Sequence, residues 1–146
     1  MLQRNWRERV RTILVIEDDE KLAIALAVRL KASGYRVLLA YDALAGVCEA
    51  VKHEPDLILL DIAMPLGGGW SVVERIRSMA NTAAIPIIFM TALEEPGLRE
   101  KALEEYGAVG FLEKPFEASD LLSMIQEALD DPTGASSQVF RDSTYT

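Results

Sequence analysis

At 146 residues the chain has room for one domain with a real core and hardly for two, and with half of its residues hydrophobic and 26% charged it reads as a soluble globular protein. A net charge of −8 argues against a nonspecific nucleic-acid or anionic-membrane surface. No apolar run approaches the ~18 residues of a membrane span, the start lacks the apolar segment of a signal peptide, and a lone Cys48 excludes a disulfide framework, so the cytoplasm is the expected location.

Residues 1–10 form a basic leader, with Arg4, Arg7 and Arg9 followed by Arg11, and are expected to be solvated. Residues 11–17 (RTILVIE) are continuously apolar and β-branched, the pattern of a buried strand, and stop at four carboxylates, Glu17, Asp18, Asp19 and Glu20. From Asp19 the spacing turns helical, with Leu22, Ala25, Leu26 and Leu30 on one stripe and Gly34 as the stop. Residues 35–41 (YRVLLAY) predict a second strand, and Asp42 caps a second helix with Leu44, Val47, Cys48 and Val51 inward. His53 at its end is an exposed polar residue on this reading.

Residues 56–61 (DLILLD) predict a third strand ending in an acid, and residues 63–69 (AMPLGGG) a loop. A third helix is expected over residues 70–79 with Val73 and Ile76 inward, then a fourth strand over 85–91 (IPIIFMT). A fourth helix is expected over 96–106 with Pro96 in its first turn, and a fifth strand over 108–114 (AVGFLEK). Leu121, Leu122, Ile125, Ala128 and Leu129 mark a fifth helix, which closes the globular part at 11–130. Residues 131–146 are polar and turn-forming, which predicts a flexible tail too short for a DNA-binding effector.

Five alternations of strand and helix, with strands apolar on both faces, call for an α/β doubly wound five-stranded parallel sheet between helix layers. Function then belongs at the carboxyl ends of the strands. Glu17 and Asp18 end the first strand, Asp61 the third, Thr91 the fourth and Lys114 the fifth. Clustered carboxylates repel unless a divalent cation joins them, and hard oxygen ligands suit Mg²⁺. An acid, a hydroxyl and a lysine around such a cation make a receptacle for a phosphoryl group. Taken singly, each residue has an ordinary explanation as a cap or solvated charge; together, each at the end of its own strand, they point to a site.

The segments ILVIEDDE, LILLDIAMP, IIFMTA and GFLEKPF resemble those of the receiver domains of two-component response regulators. The resemblance spans about residues 11–130 and implies a flavodoxin-like (β/α)5 fold with strand order 2-1-3-4-5. It places the metal-binding acidic pair on Glu17 and Asp18, with Asp19 and Glu20 left to the positive N-terminus of the first helix. Asp61 matches the phosphoacceptor, and the backbone carbonyl of Ala63 would complete the Mg²⁺ shell. Thr91 matches the switch hydroxyl, Phe111 the switch aromatic and Lys114 the lysine that precedes a cis peptide to Pro115. Ala92 leaves the phosphoryl group access, and Ala63 and Leu93 flank the path of hydrolytic water. One segment departs from the family: Gly67 and Gly68 stand where a Met and an Asp are common, which predicts a more mobile loop before Trp70.

The implied function is phosphoacceptance from a sensor histidine kinase or histidine phosphotransfer protein, switching a face made by helix four, strand five and helix five. The expected output is a protein partner, without direct nucleic-acid or membrane contact; a homodimer is left open, as is a stand-alone regulator against a fragment of a longer protein. The domain would assist its own phosphorylation and dephosphorylation without turning over an external substrate. A phosphohydrolase would want a second acid two residues after the nucleophile, where Ala63 stands. The alternative is a receiver-fold binding module acting without phosphorylation, which would be expected to lack part of the acidic set or Lys114.

Overall fold

The computed structural model describes residues 9–65 and 68–130. β1 (Thr12–Ile16), α1 (Glu20–Ala32), β2 (Arg36–Ala40), α2 (Ala43–His53), β3 (Leu57–Asp61), α3 (Gly68–Ser78) and β4 (Ile87–Thr91) follow in order. α4 begins at Leu98–Glu100 and continues as a wider turn over Lys101–Glu105; β5 (Gly110–Glu113) and α5 (Ala118–Asp130) complete the chain. All four strand pairings are parallel, in the order β2-β1-β3-β4-β5. The doubly wound sheet and its strand order are therefore as the sequence and its resemblance implied.

Successive strand residues feed two cores, as a pleated strand requires. Leu14, Ile16, Leu60 and Phe89 pack under α2, α3 and α4, whereas Ile13, Val15, Leu59 and Met90 pack against α1 and α5. β2 is the exception to strands buried on both faces: it is an edge, and only Ala40 is buried. The first two helices are capped at their starts, α2 by the Asp42 that the sequence suggested. Asp19 accepts from the Leu22 amide at 3.2 Å and Asp42 from the Ala45 amide at 2.8 Å.

Several expectations need correction. In α2 the inward residues are Gly46, Val47 and Ala50; Leu44, Cys48 and Val51 are exposed. The reason is close approach: a Cβ on Gly46 would lie 2.7 Å from Ile16 Cδ1, so small residues must face the sheet and large ones turn out. α1 behaves alike, burying Ala23 and Ala27 while Ala25 is exposed. α4 starts at Leu98, not Pro96, because Gly97 precedes it in the left-handed region (φ 84°). Gly68, expected in a mobile loop, is buried and opens α3 two residues before Trp70. Leu66 and Gly67 lie outside the described residues, as do most of the leader and the whole tail; Arg9 pairs with Asp56 at 2.6 Å.

Candidate functional site

Register brings the strand ends to one edge: Ile16 is level with Leu60, Asp61 with Met90 and Thr91 with Glu113. Each strand is apolar while the sheet covers it, and the polar residue comes where the sheet ends. Glu17 follows β1, Asp61 closes β3, Thr91 closes β4 and Lys114 follows β5.

Lys114 Nζ donates to Glu17 Oε1 at 2.5 Å and to Asp61 Oδ2 at 3.2 Å. The second oxygen of each carboxylate accepts a backbone amide: Asp19 N–H at 3.1 Å from Glu17 Oε2, and Ala63 N–H at 2.9 Å from Asp61 Oδ1. Glu17 and Asp61 are only 1% and 3% exposed, whereas Asp18 is exposed. Carboxylate oxygens of Glu17, Asp18 and Asp61 lie within 4.8 Å of one another.

Three carboxylates around one ammonium leave the cleft short of positive charge. Burial pushes the Glu17 carboxyl up to about 7; Lys114 and the Asp19 amide oppose the shift, and Asp61 adds to it. Burial alone would lower the pKa of Lys114, but Glu17 and Asp61 outweigh it and the ammonium is held more tightly than usual. The missing charge and the oxygen donors fit a small, hard divalent cation, with one open side at Asp18 for entry.

The structure thus joins Glu17, Asp18, Asp61 and Lys114 in one cluster. Thr91 stands at the same edge, fully buried, and its Oγ1 accepts the Leu93 amide at 3.0 Å. Ala63, Ala92 and Leu93 are exposed. Phe111 is buried in the cluster beneath α4 with Phe89 and Ala102. The Lys114–Pro115 peptide is cis. Sequence reasoning missed the amides of Asp19, Ala63 and Leu93, which orient the site's oxygens; backbone groups carry no residue-type signal.

The response regulator receiver domain family matches residues 13–126 of this chain. The DNA-binding dual master transcriptional regulator RpaA of Synechocystis is 34% identical over 117 residues, covering 80% of this chain and 48% of that protein. The KDP operon transcriptional regulatory protein KdpE of Escherichia coli is also 34% identical over 117 residues, with 80% and 50% covered. The chain therefore spans about half the length of the curated relatives it matches. A CheY-like receiver domain protein of Methanospirillum hungatei superimposes with a TM-score of 0.78 at 26% identity, covering 86% of this chain and 98% of that one. The receiver domain of a Pseudomonas aeruginosa sensor histidine kinase, solved with a magnesium ion coordinated in its active site cleft, gives 0.76 at 32% identity, covering 84% and 100%. RpaA, named as a DNA-binding regulator, runs against extending the expectation of no nucleic-acid contact to a longer protein. No helix among the described residues is long and apolar enough to cross a membrane.

Proposed function

The chain belongs to the response regulator receiver family, and on that premise we propose that it accepts a phosphoryl group on Asp61 in a Mg²⁺-dependent reaction. The donor is a sensor histidine kinase or a histidine phosphotransfer protein, and the output is a partner protein at the face made by α4, β5 and α5. The observation that carries the reading is Lys114 bridging Glu17 and Asp61 inside a cluster of three carboxylates.

An Asp61 carboxylate oxygen attacks phosphorus while the bond from phosphorus to the donor's imidazole nitrogen breaks, its electron pair staying on nitrogen. Glu17, Asp18, Asp61 and the Ala63 carbonyl would hold Mg²⁺, which offsets the charge of the approaching phosphoryl oxygens. Lys114 supplies a second positive charge, kept in place by Glu17 when Asp61 is modified. The Ala63 amide steadies Asp61 Oδ1, which leaves the Lys114-facing oxygen as a defined partner for donor or ion. Thr91 Oγ1 accepts the Leu93 amide and keeps its own O–H to donate to a phosphoryl oxygen, so a shift of Thr91 toward that group pulls on the loop after β4 through this bond, which couples phosphorylation to the loop.

Acyl phosphate with Mg²⁺ should add one phosphoryl group to the wild type by intact mass and none to Asp61→Asn. Labelling of the Asn variant to the wild-type extent would sink the assignment. An unlabelled wild type would favour a binding module acting without phosphorylation.

A further inference from the structure

Trp70, Glu74 and Arg77 occupy one stripe of α3, spaced i, i+4 and i+7, and all three hold the same residue at the far end of α4. The Trp70 ring stacks on Tyr106 with centroids 5.2 Å apart and planes at 23°. Glu74 Oε2 accepts the Tyr106 hydroxyl at 2.9 Å, and Arg77 Nε donates to the Tyr106 carbonyl at 3.3 Å. Arg77 is itself fixed, donating through Nη1 to the carbonyls of Ala83 and Ile85 at 2.9 and 2.7 Å. Lys101, from the first residue of the wide turn, lies 4.5 Å over the other ring in the set, Trp70.

The segment so held is not an ordinary α-helix. The Tyr106 amide donates to Lys101 O at 3.3 Å, five residues back, and the Ala108 amide to Ala102 O at 3.0 Å. Such a turn carries a residue more than an α-turn and recurs at functional positions. Tightening it to α geometry would rotate Tyr106 by roughly 100° about the helix axis and take it off Trp70. Glycines with positive φ flank the segment, Gly97 at 84° and Gly107 at 66°, so both ends can turn without a side-chain clash. The wide turn and the grip on Tyr106 therefore stand or fall together.

Both helices of this unit start from loops that belong to the site. α3 begins just after the Asp61 loop, and α4 follows the loop whose Leu93 amide is bonded to Thr91. Leu98, Leu103, Tyr106 and Trp70 pack on the same core cluster as Phe111. We propose that Trp70, Glu74 and Arg77 form a latch that keeps α4 in its wide register, and that movement of Thr91 toward a modified Asp61 opens it. The proposal rests on the phosphoacceptor reading above. These three act as positioning residues, through Tyr106, and touch no reacting atom.

The test uses the full chain with Trp6→Phe, which leaves Trp70 as its sole tryptophan. Acyl phosphate with Mg²⁺ is added, and intact mass, Trp70 emission and amide exchange over residues 101–108 are read together. Phosphorylated protein should show a shifted Trp70 emission and at least about tenfold faster exchange in that segment, as local opening requires. Because a variant that loosens the latch raises the share of the opened form that modification favours, Glu74→Ala and Tyr106→Phe should each take up phosphate faster, by about two- to tenfold for one lost hydrogen bond. A purely structural contact would not move that rate. Phosphorylated protein with unchanged emission and exchange, or both variants labelling at the wild-type rate, overturns the latch and leaves Asp61 as acceptor. No phosphate on the wild type overturns both readings.

Discussion

Ala63 and Leu93 are exposed at the mouth of the site, two residues after Asp61 and two after Thr91 respectively. Neither side chain can hydrogen-bond water. Hydrolysis of an acyl phosphate needs a water aligned opposite the leaving acyl oxygen, and a polar side chain at the rim is one means of holding it. Leu93 also has its amide tied to Thr91, which keeps its bulk near the entrance. The phosphorylated form is therefore expected to be long-lived. If an aligned water is worth tenfold, its absence raises the barrier by about 1.4 kcal/mol. The measurement is decay of the phosphorylated protein in Mg²⁺, in the wild type, Ala63→Asn and Leu93→Glu. Faster decay in either variant supports the argument, and unchanged or slower decay in both refutes it. At this scale the side chains of the site were legible in the sequence, because each acid, hydroxyl or lysine interrupts an apolar strand at its end. The amides that aim those side chains were not legible, since any residue could supply them.

Elements pack by shape as much as by hydrophobicity, and α2 illustrates the difference. A search for large apolar residues at helical spacing selects Leu44, Val47, Cys48 and Val51, of which only Val47 is buried. The buried stripe is Gly46, Val47 and Ala50, chosen because the helix lies almost in contact with Ile16. Residues too small to score as hydrophobic thus set the distance between layers, and single-sequence periodicity overlooks them. Gly69 in α3 carries the same lesson closer to the site. A Cβ there would lie 2.6 Å from the Ile62 carbonyl and 2.8 Å from that of Asp61, both backbone atoms that cannot step aside. At Gly110 the obstruction is side chain only, Met124 with Cγ at 2.9 Å and Ile88 Cγ1 at 3.3 Å, and the unbranched Met124 can shift. Overpacking of a rigid core costs about 1–3 kcal/mol, so Gly69→Ala should fall at or above the top of that range and Gly110→Ala near the bottom. Denaturant melts of the two variants check the order. Equal losses would mean that the start of α3 is free to move away from β3. The wide turn of α4 was invisible in the sequence for a related reason: its cause is the grip of Trp70, Glu74 and Arg77 on Tyr106, a contact between elements.

For the whole molecule, the five-stranded parallel arrangement followed from alternating apolar strands and amphipathic helices, but periodicity alone cannot order the strands. Order came with the resemblance, and it matters, because placing β1 beside β3 is what sets Glu17 and Asp18 against Asp61. The fold thereby stores like charge at one edge. Glu17 and Asp61 are buried there with a single lysine between them, and the pKa of Glu17 is raised, chiefly by its burial and further by the Asp61 carboxylate. A cation that binds the native cluster and not the unfolded chain relieves the cost by mass action. The gain is about 2.7 kcal/mol at a hundredfold excess over its dissociation constant. Thermal melts should therefore rise with Mg²⁺ in the wild type. Asp18→Ala removes the exposed carboxylate and leaves Glu17, Asp61 and Lys114 in their mutual contacts, so its metal-free stability should stay close to that of the wild type. Its response to Mg²⁺ should be much smaller, since one of the three carboxylate donors and the charge at the open side are gone. Calcium-free and Mg²⁺-free melts of both proteins supply the baseline. An equal rise in both would place the ion away from this cluster, and the charge at the sheet edge would then need another partner.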